Sequence, residues 1–281
     1  MKLLTKNIIK PLLKLRQALS SKADYGHSLI IAGNIKKMGA AVITAKACVR
    51  TGCGLLTVNL PKSERFIIQT TVPEAMLMFR EKLENNLDKF SAVGVGPGIG
   101  VTKESKENLI HLFKKIKIPL LLDADALNII AADKSILNKI PYETILTPHF
   151  KEFDRLFGDH PNNEERILTA ITIAKKYKVN IVLKGYKTLV TNGSSSFLNT
   201  TGNVGLAKGG SGDALTGIIT SLLAQGYSAF EAAKIGVYIH GLAADIALKN
   251  QSVESMLITD VIECLGEAFK AVMKYNKKVK K

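Results

Sequence analysis

The chain has 281 residues but no tryptophan, only three cysteines, and no apolar run long enough to span a bilayer. Each absence excludes something. Cys48, Cys53 and Cys264 form no metal-ligand spacing, and so few thiols fit a reducing compartment better than a disulfide framework. With no Trp and no basic run interleaved with aromatics, there is little with which to stack nucleic-acid bases. Lys2, Lys6, Lys10, Lys14 and Arg16 interrupt the first twenty residues and leave no uninterrupted signal-peptide core. Linkers, repeats and low-complexity blocks are also missing, so one α/β domain spanning residues 1–281 is the economical organisation. The expectation is a cytoplasmic protein with no nucleic-acid and no membrane partner.

Acidic residues are also scarce, 24 against 39 Lys and Arg, for a net charge of +15. Part of the excess is a basic tail over 270–281, where Lys270, Lys274, Lys277, Lys278, Lys280 and Lys281 end a helical pattern and complement its dipole. The rest suits a phosphate-rich small substrate. A 46% hydrophobic content supplies a core, and residues 1–20 read as an amphipathic segment lying on the fold or on a partner subunit.

Strand and helix patterns alternate. Apolar runs at Ser28–Gly33, Leu55–Leu60, Ala92–Val95, Ile118–Leu122, Thr144–Leu146 and Asn180–Leu183 are bounded by Gly, Pro or Asp, with helical stretches at Ala40–Arg50 and Glu164–Tyr177. Such βαβ units imply a parallel sheet with right-handed crossovers. Asn192-Gly193 marks a hairpin, and Ser228 with Glu231 a capping box. Ligands bind such sheets beyond the strand ends, where most of the unusual loops fall.

The richest loop is NTTGNVGLAKGGSGDALTG at 199–217. Leu215, Ile218, Ile219, Leu222 and Leu223 form one apolar helical stripe, and Gly226 marks its end. A glycine turn opening a helix offers unpaired N–H groups at the positive end of its dipole, which suits an anion. Asp213 at that mouth is either a helix cap or a base that takes a proton from an attacking hydroxyl. Gly205, Gly209, Gly210 and Gly212 favour the second, since a cap needs none of them.

Four other strand-end loops carry chemistry. GVGPGIG at 94–100 is either a tight turn or a close ligand approach. Asp123 and Asp125 follow the next strand, Asp125 as a structural residue and Asp123 open between helix cap and ion ligand. In Thr147-Pro148-His149, Pro148 stops the strand, which puts His149 in the crevice and Glu152 one turn into a helix. Lys184, beside Gly185, either meets a phosphate or points to solvent.

Together with Gly39-Ala40-Ala41 and RTGCGLLTV at 50–58, the loops LLDADALN, LTPHFKEF and LKGYKT resemble the ADP/ATP-dependent NAD(P)H-hydrate dehydratase family over residues 22–250. TGN-x-G followed by GG-[ST]-GD-x-L-x-G is the strongest part of the likeness. The resemblance implies a ribokinase-like three-layer αβα sandwich with a mainly parallel central sheet. It also implies nicotinamide-nucleotide repair, in which ADP or ATP phosphorylates the hydroxyl of hydrated NADH or NADPH and phosphate then leaves. By the same resemblance Asp213 is the base, with Gly210 and Gly212 steadying the phosphoryl group. Ala41, Gly98, His149 and Asp213 would hold the hydrate, and Lys184, Gly185, Tyr186, Lys187, Thr188 and Gly212 the adenine nucleotide. Mg²⁺ is implied by phosphoryl transfer, with Glu152 ordering its water shell, and a homo-oligomer is expected. Val204, Lys208 and Asn34 depart from the family pattern, and Lys208 adds a cation beside the glycine turn. The alternatives are a small-molecule kinase of the same fold acting on an alcohol such as a vitamin precursor, and a silent nucleotide-binding module.

Overall fold

The computed structural model describes residues 1–80 and 87–273; most of the basic tail therefore lies outside the described residues. The strands are β1 (Lys2–Leu4), β2 (His27–Ile31), β3 (Leu55–Leu60), β4 (Ala75–Phe79) and β5 (Ala92–Val95). β6 (Leu120–Leu122), β7 (Ile145–Leu146), β8 (Asn180–Leu183), β9 (Leu189–Thr191) and β10 (Ser196–Asn199) follow. The helices begin with α1 (Lys6–Ile9), α2 (Met38–Thr51), α3 (Arg65–Thr71), α4 (Lys103–Lys115), α5 (Ala124–Ala132) and α6 (Phe150–Phe157). They continue with α7 (Asn163–Tyr177), α8 (Ser211–Ala224), α9 (Ala229–Ala247), α10 (Ile258–Glu263) and α11 (Leu265–Met273).

The strands form one sheet in the order β1-β10-β9-β8-β7-β6-β5-β2-β3-β4. Among the described strands only β9 runs against its neighbours, pairing antiparallel with β8 and β10. The side-chain period of two sends alternate strand residues to opposite faces of the sheet. Leu121, Ile145, Val182 and Val190 face one helical layer with α8 and α9, whereas Leu122, Leu146, Ile181 and Leu189 face the other with α4–α7. This is the expected three-layer αβα arrangement.

Glycine sets how closely two helices and the sheet approach. A Cβ on Gly217 would lie 2.1 Å from the Thr44 carbonyl oxygen of α2, and one on Gly94 2.2 Å from Thr220 Oγ1 of α8. No larger residue fits either crossing. α8 therefore packs tightly against both α2 and β5, and its N-terminus is fixed at the carboxyl ends of the parallel strands.

Several local expectations hold. Asn192-Gly193 joins β9 to β10, Ser228 and Glu231 cap α9 reciprocally, and Gly226 follows α8 with φ +80°. The N-terminal segment lies on the fold: β1 adds parallel to β10, and Leu4 and Ile9 are fully buried. This amphipathic segment consists of a strand, one helical turn and a short 3-10 turn at Lys10–Leu12, where Pro11 admits no longer helix. β4, at the opposite edge, escapes the sequence reading because Met76 and Met78 carry little β signal and Pro73 precedes it.

Candidate active site

The site lies beyond the carboxyl ends of β2, β5, β6, β7 and β8. Gly33 N–H donates to the Pro97 carbonyl at 2.7 Å and ties the loop after β2 to the loop after β5. Gly96, Gly98 and Gly100 all have positive φ, so that loop takes a path open to few other residues. Gly98 packs on Lys37 and Ala40 at the start of α2, and Ala41 lies beneath Gly33. Ala41 and Gly98 are both buried, so they shape the crevice floor and offer it no functional group. Asp125 accepts a hydrogen bond from Gly100 N–H at 2.8 Å and faces Lys37 Nζ at 3.5 Å, the structural role expected of it.

Lys184 is the centre of the charge arrangement. Its backbone N–H donates to the Pro148 carbonyl at 2.8 Å, which extends the β7–β8 pairing past the strand ends. Its Nζ lies 2.8 Å from Asp123 Oδ1 and 3.9 Å from Glu152 Oε2. Burial disfavours the charge on Lys184, but Asp123 and Glu152 outweigh it and raise its pKa. Burial likewise opposes ionisation of Asp123, yet Lys184 and the hydroxyls of Thr147 and Thr216 hold its pKa low. Thr216 Oγ1 donates to Asp123 Oδ2 at 2.9 Å, linking the pair to α8. Asp123 is the N-cap residue of α5, but its side chain caps no backbone N–H and pairs with Lys184 instead.

His149 and Glu152 form a reciprocal cap on α6. His149 Nδ1 accepts from Glu152 N–H at 3.2 Å, and Glu152 Oε2 accepts from His149 N–H at 2.8 Å. With Nδ1 an acceptor, the neutral ring carries its proton on Nε2, which is 3.5 Å from Glu152 Oε1. Burial pushes the His149 pKa down and keeps the ring neutral. His149 is thus both a structural cap and a half-exposed wall of the crevice.

Asp213 is the third residue of α8, within its first turn, and the N-cap is Gly210 in the left-handed region at φ +94°. The capping alternative therefore fails for Asp213. Ser211 N–H donates to the Lys208 carbonyl at 3.4 Å, which leaves the N–H groups of Gly212 and Asp213 without an intrahelical acceptor at the positive end of the dipole. Burial chiefly, and then the negative charge of Asp123, push the Asp213 pKa up to about 6, against the opposing effect of Lys184. A carboxyl poised there can hold or release a proton near neutral pH.

Beside Lys184 a cleft of about 430 Å³ opens between the loop after β8, residues 199–207 and the faces of α8 and α9. Gly185, Tyr186, Thr188 and Gly212 line it, as does His240, which sequence reasoning missed. Tyr186 is almost fully exposed at the rim, and Lys187 is exposed beside it. His240 sits mid-helix in a strongly apolar pattern, where nothing in the sequence marks it as different from a core residue. Lys208 turns away from the glycine turn: its Nζ donates to the carbonyls of Glu254 and Met256. Asn34 folds back on its own loop, accepting from Lys36 N–H at 2.9 Å.

A model of the NAD(P)H-hydrate dehydratase family matches residues 28–266. The chain belongs to this family. It is 35% identical over 89% of its length to the ADP-dependent (S)-NAD(P)H-hydrate dehydratase of Neisseria meningitidis, covering 86% of that protein. Its fold matches that of the Bacillus subtilis ADP/ATP-dependent NAD(P)H-hydrate dehydratase co-crystallised with ATP and Mg²⁺, with TM-score 0.85, 28% identity and coverage of 96% and 98% of the two chains. A ribokinase-like superfamily protein of Enterococcus faecalis matches with TM-score 0.89 at 27% identity, over 98% and 97% of the chains. The chain spans about half the length of the bifunctional NAD(P)H-hydrate repair enzymes it also matches, 53% and 52% in two cases. As a dehydratase-family chain it has the ribokinase-like fold expected of it. Among the described residues no helix is long and apolar enough to cross a membrane.

Proposed function

We propose that this chain dehydrates the hydrated forms of NADH and NADPH, using ADP or ATP to phosphorylate the hydrate hydroxyl. The observation that carries the reading is Asp213, a carboxyl with a pKa near 6 at the open N-terminus of α8. Hydroxide is a poor leaving group and phosphate a good one, so a base beside an anion-binding helix end has a clear use. Asp213 takes the proton as the hydrate oxygen attacks the terminal phosphorus. The N–H groups around Gly210 and Gly212 steady the charge on the transferring group. The phosphate then leaves with the C–O electrons while the ring nitrogen lone pair pushes, and a proton departs from the adjacent carbon.

His149, Gly98 and Ala41 border the hydrate side of the crevice, and Lys184–Thr188 with Gly212 the nucleotide side. Lys184, held by Asp123 rather than by solvent, offers a fixed cation to the phosphate chain. Among the described residues no three acidic, His or Cys side chains surround a common point. The donors fit Mg²⁺ as an ion carried by nucleotide phosphates, whose water shell Glu152 would help to order, since Mg²⁺ keeps much of its hydration and uses few carboxylates. When bound, it would neutralise phosphate charge.

The cytoplasm, where reduced nicotinamide cofactors turn over, is the matching compartment, and a homo-oligomer is the proposed assembly. Incubating the wild type and Asp213→Asn with NADH hydrate and each nucleotide tests the assignment. Nucleotide binding with lost turnover in the variant supports it; unchanged turnover removes Asp213 from the mechanism.

A further inference from the structure

Arg80 directly follows the edge strand β4 and reaches inward to the carboxyl ends of its neighbours. Its Nη1 donates to the Gly33 carbonyl at 2.8 Å and its Nη2 to the Ala32 carbonyl at 2.9 Å. Nη2 also donates to the Asn59 carbonyl at 3.1 Å, and Nε to Asn59 Oδ1 at 3.3 Å. One half-buried guanidinium therefore ties the loop after β2 to the end of β3. Only a planar fork of several donors meets acceptors so arranged; an ammonium is a single point.

The peptide between Ala32 and Gly33 is held at both ends. Its carbonyl accepts from Arg80, and its N–H donates to the Pro97 carbonyl at 2.7 Å. A donor on the carbonyl polarises the peptide and strengthens the bond made by its N–H. Pro97 adjoins Gly98, and a Cβ on Gly33 would lie only 2.9 Å from that of Ala41, so Gly33 sits against α2. The ties thus run from Arg80 through one peptide to Gly98 and Ala41, which border the hydrate side of the crevice. The nucleotide side has a different anchor, Asp123 on Lys184, and five strands separate β4 from β8. We infer that Arg80 is a positioning residue for the hydrate: its guanidinium fixes the loop after β2 and, through Pro97, the wall that the reduced ring meets. The inference rests on the dehydratase reading above and adds the residue that holds its hydrate wall in place.

Steady-state assays of the whole chain with NADH hydrate, beside calorimetric titration with ADP, test it in wild type, Arg80→Lys and Arg80→Ala. Loss of the fork predicts a KM for hydrate about five- to tenfold higher in Arg80→Lys, and higher still in Arg80→Ala. The Kd for ADP stays within about twofold of wild type, because the two walls are distant and share no partner. In the wild type, the Arg80 Nε–H resonance shifts with NADH hydrate and not with ADP, a readout that needs no variant. A purely structural role would shrink the folded fraction, lowering kcat and leaving the hydrate KM where it was. That result, weakening of ADP in step with hydrate, or an Nε–H resonance indifferent to hydrate overturns the inference alone. Failure of the wild type to convert NADH hydrate with either nucleotide overturns the dehydratase reading as well.

Discussion

Asp213 concentrates the consequences of the site at the residue scale. Its folded-state pKa of about 6 lies above the usual carboxyl value, so folding favours its protonated form. Stability from that preference is present below about pH 4 and is lost as pH rises through 6. At pH 8 the charged, mostly buried carboxylate therefore costs on the order of 1–3 kcal/mol. Asp213→Asn should raise the melting temperature at pH 8 by about 2–5 °C while lowering turnover by about 10³-fold, checked by thermal scanning and steady-state assay. A lower melting temperature would mean that the carboxylate is stabilised by contacts other than those seen here. The same pKa predicts that kcat/KM rises with pH through about 6 and levels above 7; a flat profile from pH 5 to 8 would assign the proton to another group. Asp213 was legible in the sequence through its glycine turn. His240 was not, because a histidine inside the apolar face of a 19-residue helix has no local signature.

Local patterning located the central elements well, because a buried parallel strand is a short apolar run that ends in a turn. The β2–α2–β3 unit, the β9–β10 hairpin and the start of α8 all follow from such local rules. β1 and β4 did not, since edge strands owe their structure to a neighbour rather than to their own residues. The pairing of Lys184 with Asp123, 61 residues apart, is a product of sheet order that no motif could reveal. At this scale the crossing of α8 with α2 decides where the anion-binding end sits. Helix propensity alone predicts that Gly217→Ala stabilises α8 by about 1 kcal/mol. Contact with the Thr44 carbonyl predicts the opposite sign, a loss of about 1–3 kcal/mol, and urea unfolding separates the two.

Across the whole molecule, the sheet gathers five strand ends, two glycine loops and a helix N-terminus along its carboxyl edge. One lateral edge of the sheet is formed by the N-terminal segment, whose Leu4 and Ile9 are buried and whose β1 covers β10. Deleting residues 1–20 should uncover that edge and lower the melting temperature by more than about 5 °C, with aggregates on size exclusion. A stable deletion variant of smaller assembly size would instead place the segment between subunits. In the proposed function, the crevice and the adjoining cleft serve one reaction, phosphorylation of a hydroxyl so that it can leave. The most direct test is to incubate synthetic NADH hydrate with the protein, Mg²⁺ and either ADP or ATP, following NADH absorbance and orthophosphate together. The expected result is that NADH and orthophosphate appear one for one while the nucleotide loses one phosphoryl group. A stable phosphorylated product without NADH, or nucleotide turnover only with an unrelated alcohol, would contradict it.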